Sequence, residues 1–225
     1  MKHFPLLIIG IFSVFTSSFL GLVVTSQNQI GALEPTTESL ELNDDGALVM
    51  IEGDPLFPQK LSGLASQGQL EYIKLGCVNC HSQQIRRASI SRDLERGLGV
   101  RFSVPRDYIY QKNVLLGSQR IGPDLSNVGL RDFDKNWHYL HLYNPQITSP
   151  GSVMAPFSYL FEEIEGELSE YPNALIFPEG SPYAPDEGYV IIPTRRSSGL
   201  VEYLLSLKFE YNLPETIISN NEQAK

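Results

Sequence analysis

The chain is poor in several residue types, and each shortage excludes something. Two cysteines in 225 residues, Cys77 and Cys80, cannot make the scattered disulfide framework of a small extracytoplasmic domain. Seventeen Lys and Arg against 26 Asp and Glu leave a formal net charge of -9, which argues against nucleic acid or an anionic lipid surface as partner. No block of like charge forms an acidic or basic tail. No internal repeat or low-complexity tract appears. Long apolar runs are also missing with one exception, so a multi-span membrane protein is excluded.

That exception is Phe4–Thr25, FPLLIIGIFSVFTSSFLGLVVT, 22 residues without a charge. About 20 apolar residues suffice to cross a hydrocarbon core. Lys2 precedes the run, and the first charges after it are acidic: Glu34, Glu38, Glu41, Asp44 and Asp45. Positive charge stays on the cytoplasmic side, which predicts a single-pass anchor with everything downstream exported. A cleaved signal peptide is the competing reading. Its apolar region would be shorter, about 7–15 residues, and would end at an A-x-A-like site that this chain does not show.

The expected organisation has four parts. Residues 1–33 form the anchor, and 34–60 an acidic, proline-containing linker. Residues 61–210 form one compact domain, and 211–225 a polar C-terminal tail. The domain reads as mainly α with long loops. Apolar residues from Leu61, with Gly68, Tyr72 and Gly76 at four-residue spacing, predict a helix running into Cys77. Leu200, Tyr203, Leu204 and Leu207 make the i, i+3, i+4, i+7 stripe of a second helix over Ser197–Lys208. A third is expected over Asp134–Tyr143, stopped by Asn144-Pro145. Gly68, having no side chain, would let two helices cross closely. Segment 161–195 carries five prolines and reads as an extended excursion.

The chemistry lies in Cys77-Val78-Asn79-Cys80-His81, a C-x-x-C-H motif. Two thiols two residues apart can form thioethers to the two vinyl groups on one porphyrin edge. The adjoining histidine is then brought under the iron as an axial ligand. One covalently bound haem c is therefore expected. A zinc site would need a second ligand pair, and His138 with His141 makes a Cys2His2 set formally open. A thioredoxin-like redox pair would want a βαβ context and no histidine after the second cysteine.

For the sixth ligand the candidates are few. Met1 is terminal and Met50 precedes the motif, whereas Met154 sits between Pro150 and Pro156, which stiffen its backbone. The expected metal ligands are His81 and Met154, with His138 or His141 as the bis-histidine alternative.

The segments Gly76–Arg86 (GCVNCHSQQIR), Gly117–Gly129 (GSQRIGPDLSNVG) and Trp137–Pro156 (WHYLHLYNPQITSPGSVMAP) resemble subunit II of the cbb3-type haem-copper oxidases, the monohaem cytochrome or O subunit. The resemblance covers roughly residues 68–160, the anchor and the terminal helix. It departs at Arg87, where the family pattern has proline, and 161–195 has no secure counterpart.

Membership would imply a class I-like cytochrome c domain behind an N-terminal transmembrane helix in the bacterial inner membrane, with the haem domain on the periplasmic side. Cys77 and Cys80 would attach the haem, with His81 and Met154 axial. Pro123 would place a carbonyl against the His81 ring. The chain would be a non-catalytic electron-transfer subunit serving the haem b–copper catalytic subunit, alongside other cytochrome c subunits. Apart from the resemblance, Arg86 and Arg120 could pair with haem propionates or be solvated or subunit-facing, and Trp137 could donate to a propionate or be a core residue. Alternatives are the anchored cytochrome of another respiratory complex, nitric oxide reductase-like, or a free-standing anchored carrier. A haem sensor or peroxidase would need an open sixth position.

Overall fold

The computed structural model describes residues 3–37, 40–43, 48–213 and 215–216. Two compact units divide at Pro35. The first is a helix, Phe4–Ile30, of 27 residues with mean hydropathy 2.3 and no buried residue in its most apolar window. At about 1.5 Å per residue it exceeds a ~30 Å hydrocarbon core. It ends where Gly31 takes a positive φ of 69°. Length and composition thus make it a candidate span.

The second unit begins with two small antiparallel ladders. Strand β1 (Thr36–Thr37) pairs with β4 (Leu56–Phe57), and β2 (Leu40–Leu42) with β3 (Leu48–Met50). The 34–60 segment, expected as a linker, is therefore partly folded back on itself. Thr36 and Thr37 are buried, and the Phe57 ring stacks on Tyr211 at 4.7 Å.

Three helices frame the site. The first, Gly63–Lys74, buries Ala65, Gly68 and Tyr72, positions three and four apart on one face. The last, Arg195–Ser206, starts two residues earlier than its apolar stripe suggests, because the Thr194 hydroxyl accepts from the Ser197 amide at its N-terminus. These two cross at Gly68 and Gly199, where a Cβ on Gly68 would lie inside the Gly199 carbonyl. Tyr72 meets Tyr203 edge-on at 5.4 Å, and Arg196 pairs with Glu71 at 2.8 Å along the rim. The close approach expected from Gly68 is what the backbone shows. The middle helix, Lys135–Tyr143, is capped by Asp134, whose carboxylate accepts from the Trp137 amide at 2.6 Å.

The excursion 161–195 folds as a hairpin of β5 (Phe161–Glu165) with β6 (Tyr189–Pro193), in register Phe161↔Pro193 to Glu165↔Tyr189. Phe161, Leu175 and Ile191 join the main core with Leu160, Leu200 and Leu204, so the excursion is anchored on the domain. The 211–225 stretch, expected as a polar tail, begins inside the fold. Tyr211 and Leu213 are buried against Phe102 and Val104, and Glu215 pairs with Arg106 at 2.6 Å. The rest of that expected tail, residue 214 and 217–225, lies outside the described residues.

Candidate functional site

Gly76 ends the first helix with φ +75°, a left-handed turn that glycine adopts without strain. The chain re-forms at once as a single turn, Cys77–Cys80. His81 N–H donates to the Cys77 carbonyl at 2.9 Å. Both cysteines are free thiols; Cys77 is half-buried and Cys80 exposed. Burial pushes the Cys77 thiol up to about 11.

The His81 ring is held by the loop over 117–125. Its Nδ1 lies 2.8 Å from the Pro123 carbonyl oxygen, so the proton sits on Nδ1 and Nε2 keeps its lone pair. Burial lowers the pKa of His81, against the Pro123 carbonyl, which raises it. Gly122 is required here, since a Cβ would overlap the imidazole ring. Main-chain bonds lace the loop to the motif: Ser118 N–H to the Val78 carbonyl at 3.2 Å, Gly122 N–H to Cys80 at 3.0 Å, and Leu125 N–H to Ser82 at 2.9 Å.

Around this loop lies a polar brace that sequence reasoning missed. The buried Asp124 carboxylate accepts from the Ser82 hydroxyl at 2.6 Å and from the amides of Gln84 and Ser126, each at 2.8 Å. Arg120 donates to Ser82 Oγ at 2.8 Å, to Asp93 at 2.6 Å and to the Gln84 carbonyl. All three guanidinium nitrogens of Arg120 thus hold protein acceptors. Arg86 is exposed, and its amide donates to Asp93 at 2.9 Å.

Met154 is half-buried and packs on the same apolar cluster as Cys77 and Val78. Gln146 pins its loop, another residue the sequence did not flag. Its side-chain amide donates to the Ser152 carbonyl at 2.6 Å, and its oxygen accepts from Gly151 N–H at 2.8 Å.

Trp137 lies between Phe133 and His141, with ring centroids 3.9 and 4.7 Å away and interplanar angles of 6° and 8°. His141 Nδ1 is 2.6 Å from the Thr148 hydroxyl. Burial holds His138 and His141 down to about 4, so both rings are neutral at neutral pH. His138 is 3% exposed, and its Nε2 has no protein partner.

The donor set fits a c-type haem. Two free thiols one turn apart sit beside a histidine whose Nδ1 is spent and whose Nε2 is spare, with a thioether on the same apolar wall. Among the described residues no three His, Cys, Asp or Glu side chains converge as a metal cluster, which the Cys2His2 alternative would require. Comparison with curated proteins gives no match. Residues 58–181, more than half of the chain, match the family described as cytochrome c oxidase, mono-heme subunit/FixO, and the chain belongs to that family.

Proposed function

We propose that the chain is the electron-transfer cytochrome of a cbb3-type oxidase. In this reading one haem c is covalently held by Cys77 and Cys80, with His81 Nε2 and Met154 as axial ligands in a class I-like cytochrome c domain. The observation that carries it is the His81–Pro123 pair beside the two free thiols. A bound haem c supplies reversible one-electron transfer. The chain's residues do the rest. Pro123 fixes the His81 tautomer and strengthens its donation. The Gln146 clamp holds the Met154 loop, and Asp124 with Arg120 keeps the 117–125 loop against the motif. A methionine ligand raises the potential relative to bis-histidine, as suits a late electron carrier.

The proposed partners are the haem b–copper catalytic subunit, where oxygen would be reduced, and the other cytochrome c subunits of the complex. The chain itself would break no bond of oxygen. Phe4–Ile30 would anchor it once in the bacterial cytoplasmic membrane, with the domain on the periplasmic side; Lys2 before the helix and the absence of Lys or Arg in the sequence from there to Lys60 support this orientation. The parts proposed are an anchor over 1–33 and a haem domain over 61–210.

The test is purification from native membranes with pyridine haemochrome quantitation and partner identification. One covalent haem per chain, a red absorption band of methionine-ligated ferric haem, and a co-purifying haem b–copper subunit are expected. A chain without covalent haem would overturn the proposal. A covalent haem without that partner would limit it to an anchored carrier.

A further inference from the structure

A side-chain bond ties the start of the Met154 loop to the middle helix. Thr148, which closes the short turn Pro145–Ile147, places its hydroxyl oxygen 2.6 Å from Nδ1 of His141. The far end of the loop is secured by main chain, where Phe157 N–H donates to the Leu142 carbonyl at 2.8 Å. The Thr148 hydroxyl has a second acceptor in reach, the Pro145 carbonyl, but at 3.5 Å. Hydroxyl donors favour separations of about 2.7–2.8 Å, so its proton goes to the ring rather than to that carbonyl.

Burial keeps the His141 imidazole neutral at neutral pH, and a neutral ring has one acceptor and one donor nitrogen. Nδ1 is the acceptor here and Nε2 carries the proton, the opposite tautomer to that of His81. So protonated, His141 has no free lone pair to offer a metal.

A second observation, independent of that bond, fixes where the ring stands. Phe133, Trp137 and His141 recur at four-residue spacing over Lys135–Tyr143 and the turn before it. Their rings form a column, with centroids 3.9 and 4.7 Å apart and planes within 6° and 8° of parallel. All three are half-buried, as is Thr148. The indole face sets the plane of the imidazole, so Nδ1 meets Thr148 with little side-chain freedom left to lose.

We infer that Thr148 is a positioning residue for the Met154 ligand: its bond to His141, backed by Trp137 and Phe133, sets where the Met154 loop stands. The inference rests on the haem reading above. It differs from the Gln146 clamp, whose bonds to Gly151 and Ser152 lie inside the loop and stiffen it without tying it to a helix. A thioether is a weak ligand, so its hold on the iron depends on how well its loop is placed.

The experiment compares Thr148→Val, Thr148→Ser and His141→Phe with the native complex. It reads covalent haem per chain, the carbon monoxide association rate of the reduced protein, thermal loss of the red band of methionine-ligated ferric haem, and unfolding of the domain. Thr148→Val exchanges the hydroxyl for a methyl group and should keep covalent haem at the wild-type level. One lost hydrogen bond should raise the fraction of haem without methionine, and with it the carbon monoxide rate, about two- to tenfold. The red band should disappear at a lower temperature, before the domain unfolds. His141→Phe keeps the stack, loses the acceptor and should reproduce Thr148→Val. Thr148→Ser restores the donor and should return the readings to wild type.

A wild-type carbon monoxide rate and red band in Thr148→Val would overturn the inference. So would a Thr148→Ser as impaired as Thr148→Val, because the methyl group rather than the hydroxyl would then place the loop. Failure of both Thr148→Val and His141→Phe to accumulate would overturn it in favour of a folding role. Wild-type protein with covalent haem but no red band would remove Met154 as the ligand and the inference with it. Wild-type protein without covalent haem would instead sink the proposed function, a distinguishable result.

Discussion

The Pro123 carbonyl oxygen lies 2.8 Å from Nδ1 of His81, across 42 residues of chain. Neither residue fixes this contact alone. Gly122 allows the ring to approach, and Asp124 ties the other flank of Pro123 to Ser82 and Gln84. Replacing Asp124 with alanine would leave buried donors on Ser82, Gln84 and Ser126 unsatisfied. Each such group costs about 1–3 kcal/mol. The expected result is a domain destabilised by roughly 3 kcal/mol or more, read as an earlier denaturant midpoint, with less haem retained per chain.

Two glycines on one helix should respond oppositely to alanine. Gly68→Ala would drive a Cβ into the Gly199 backbone, where neither side can yield without parting the helices. Overpacking of this kind costs about 1–3 kcal/mol, more than the ~1 kcal/mol alanine gains in helix propensity. Gly63 has nothing within 4 Å of a built Cβ and no positive φ. Gly63→Ala should therefore raise stability by about 0.4–1 kcal/mol through the unfolded chain. Thermal unfolding of the two variants checks both signs. A destabilised Gly63→Ala would contradict the open space around it.

The sequence disclosed local and periodic features. Asp134 and Asn144-Pro145 bracket a helix seen at Lys135–Tyr143, and Gly68 announced a crossing. Partnerships that depend on distant segments left no periodic trace. Strands of two or three residues show no alternation, so 34–60 read as a linker, although Phe57 stacks on Tyr211 from 154 positions away. The same limit hid the Asp124 brace. Its acceptors serve Ser82 and Gln84, 40 or more residues back, and an Asp after Gly-Pro reads as a turn residue. Arg120 and Arg131 are equally plausible anion partners in one dimension. The fold separates them, because Asp93 forms an ion pair with Arg120, whereas Arg131 donates to the Asp124 main-chain carbonyl.

Asp93 gives an acid-side prediction. It is 1% exposed, and burial alone would raise its pKa; Arg120, the Ser91 hydroxyl and the Arg86 amide outweigh that and hold it below its ordinary 3.8. Below that value the unfolded chain binds more protons than the folded one, so stability rises with pH across the window. The contribution is present above about pH 4 and lost as pH falls through the folded pKa. Asp93→Asn should lower stability at neutral pH and flatten its fall below pH 4. Denaturant unfolding at a series of pH values measures this, and an undiminished acid slope in Asp93→Asn would assign the loss to other carboxylates.

Gln146 provides the sharpest separation of loop stiffness from haem attachment. Its side chain bridges Gly151 N–H and the Ser152 carbonyl, at 2.8 and 2.6 Å, directly before Met154. A thioether is a weak ligand, so its occupancy of the iron should depend on how little conformational freedom the loop retains when it dissociates. Gln146→Ala removes both bonds and touches neither thiol nor His81. Covalent haem per chain should stay at the wild-type level while the red band of ferric methionine ligation weakens and the reduced protein begins to bind carbon monoxide. Gln146→Glu keeps the acceptor for Gly151 and loses the donor to Ser152, and should fall between the two. An intact red band in Gln146→Ala would mean that Pro150 and Pro156 alone hold Met154 in place. Loss of haem together with the band would show that the clamp serves folding of the whole 145–156 loop rather than the ligand.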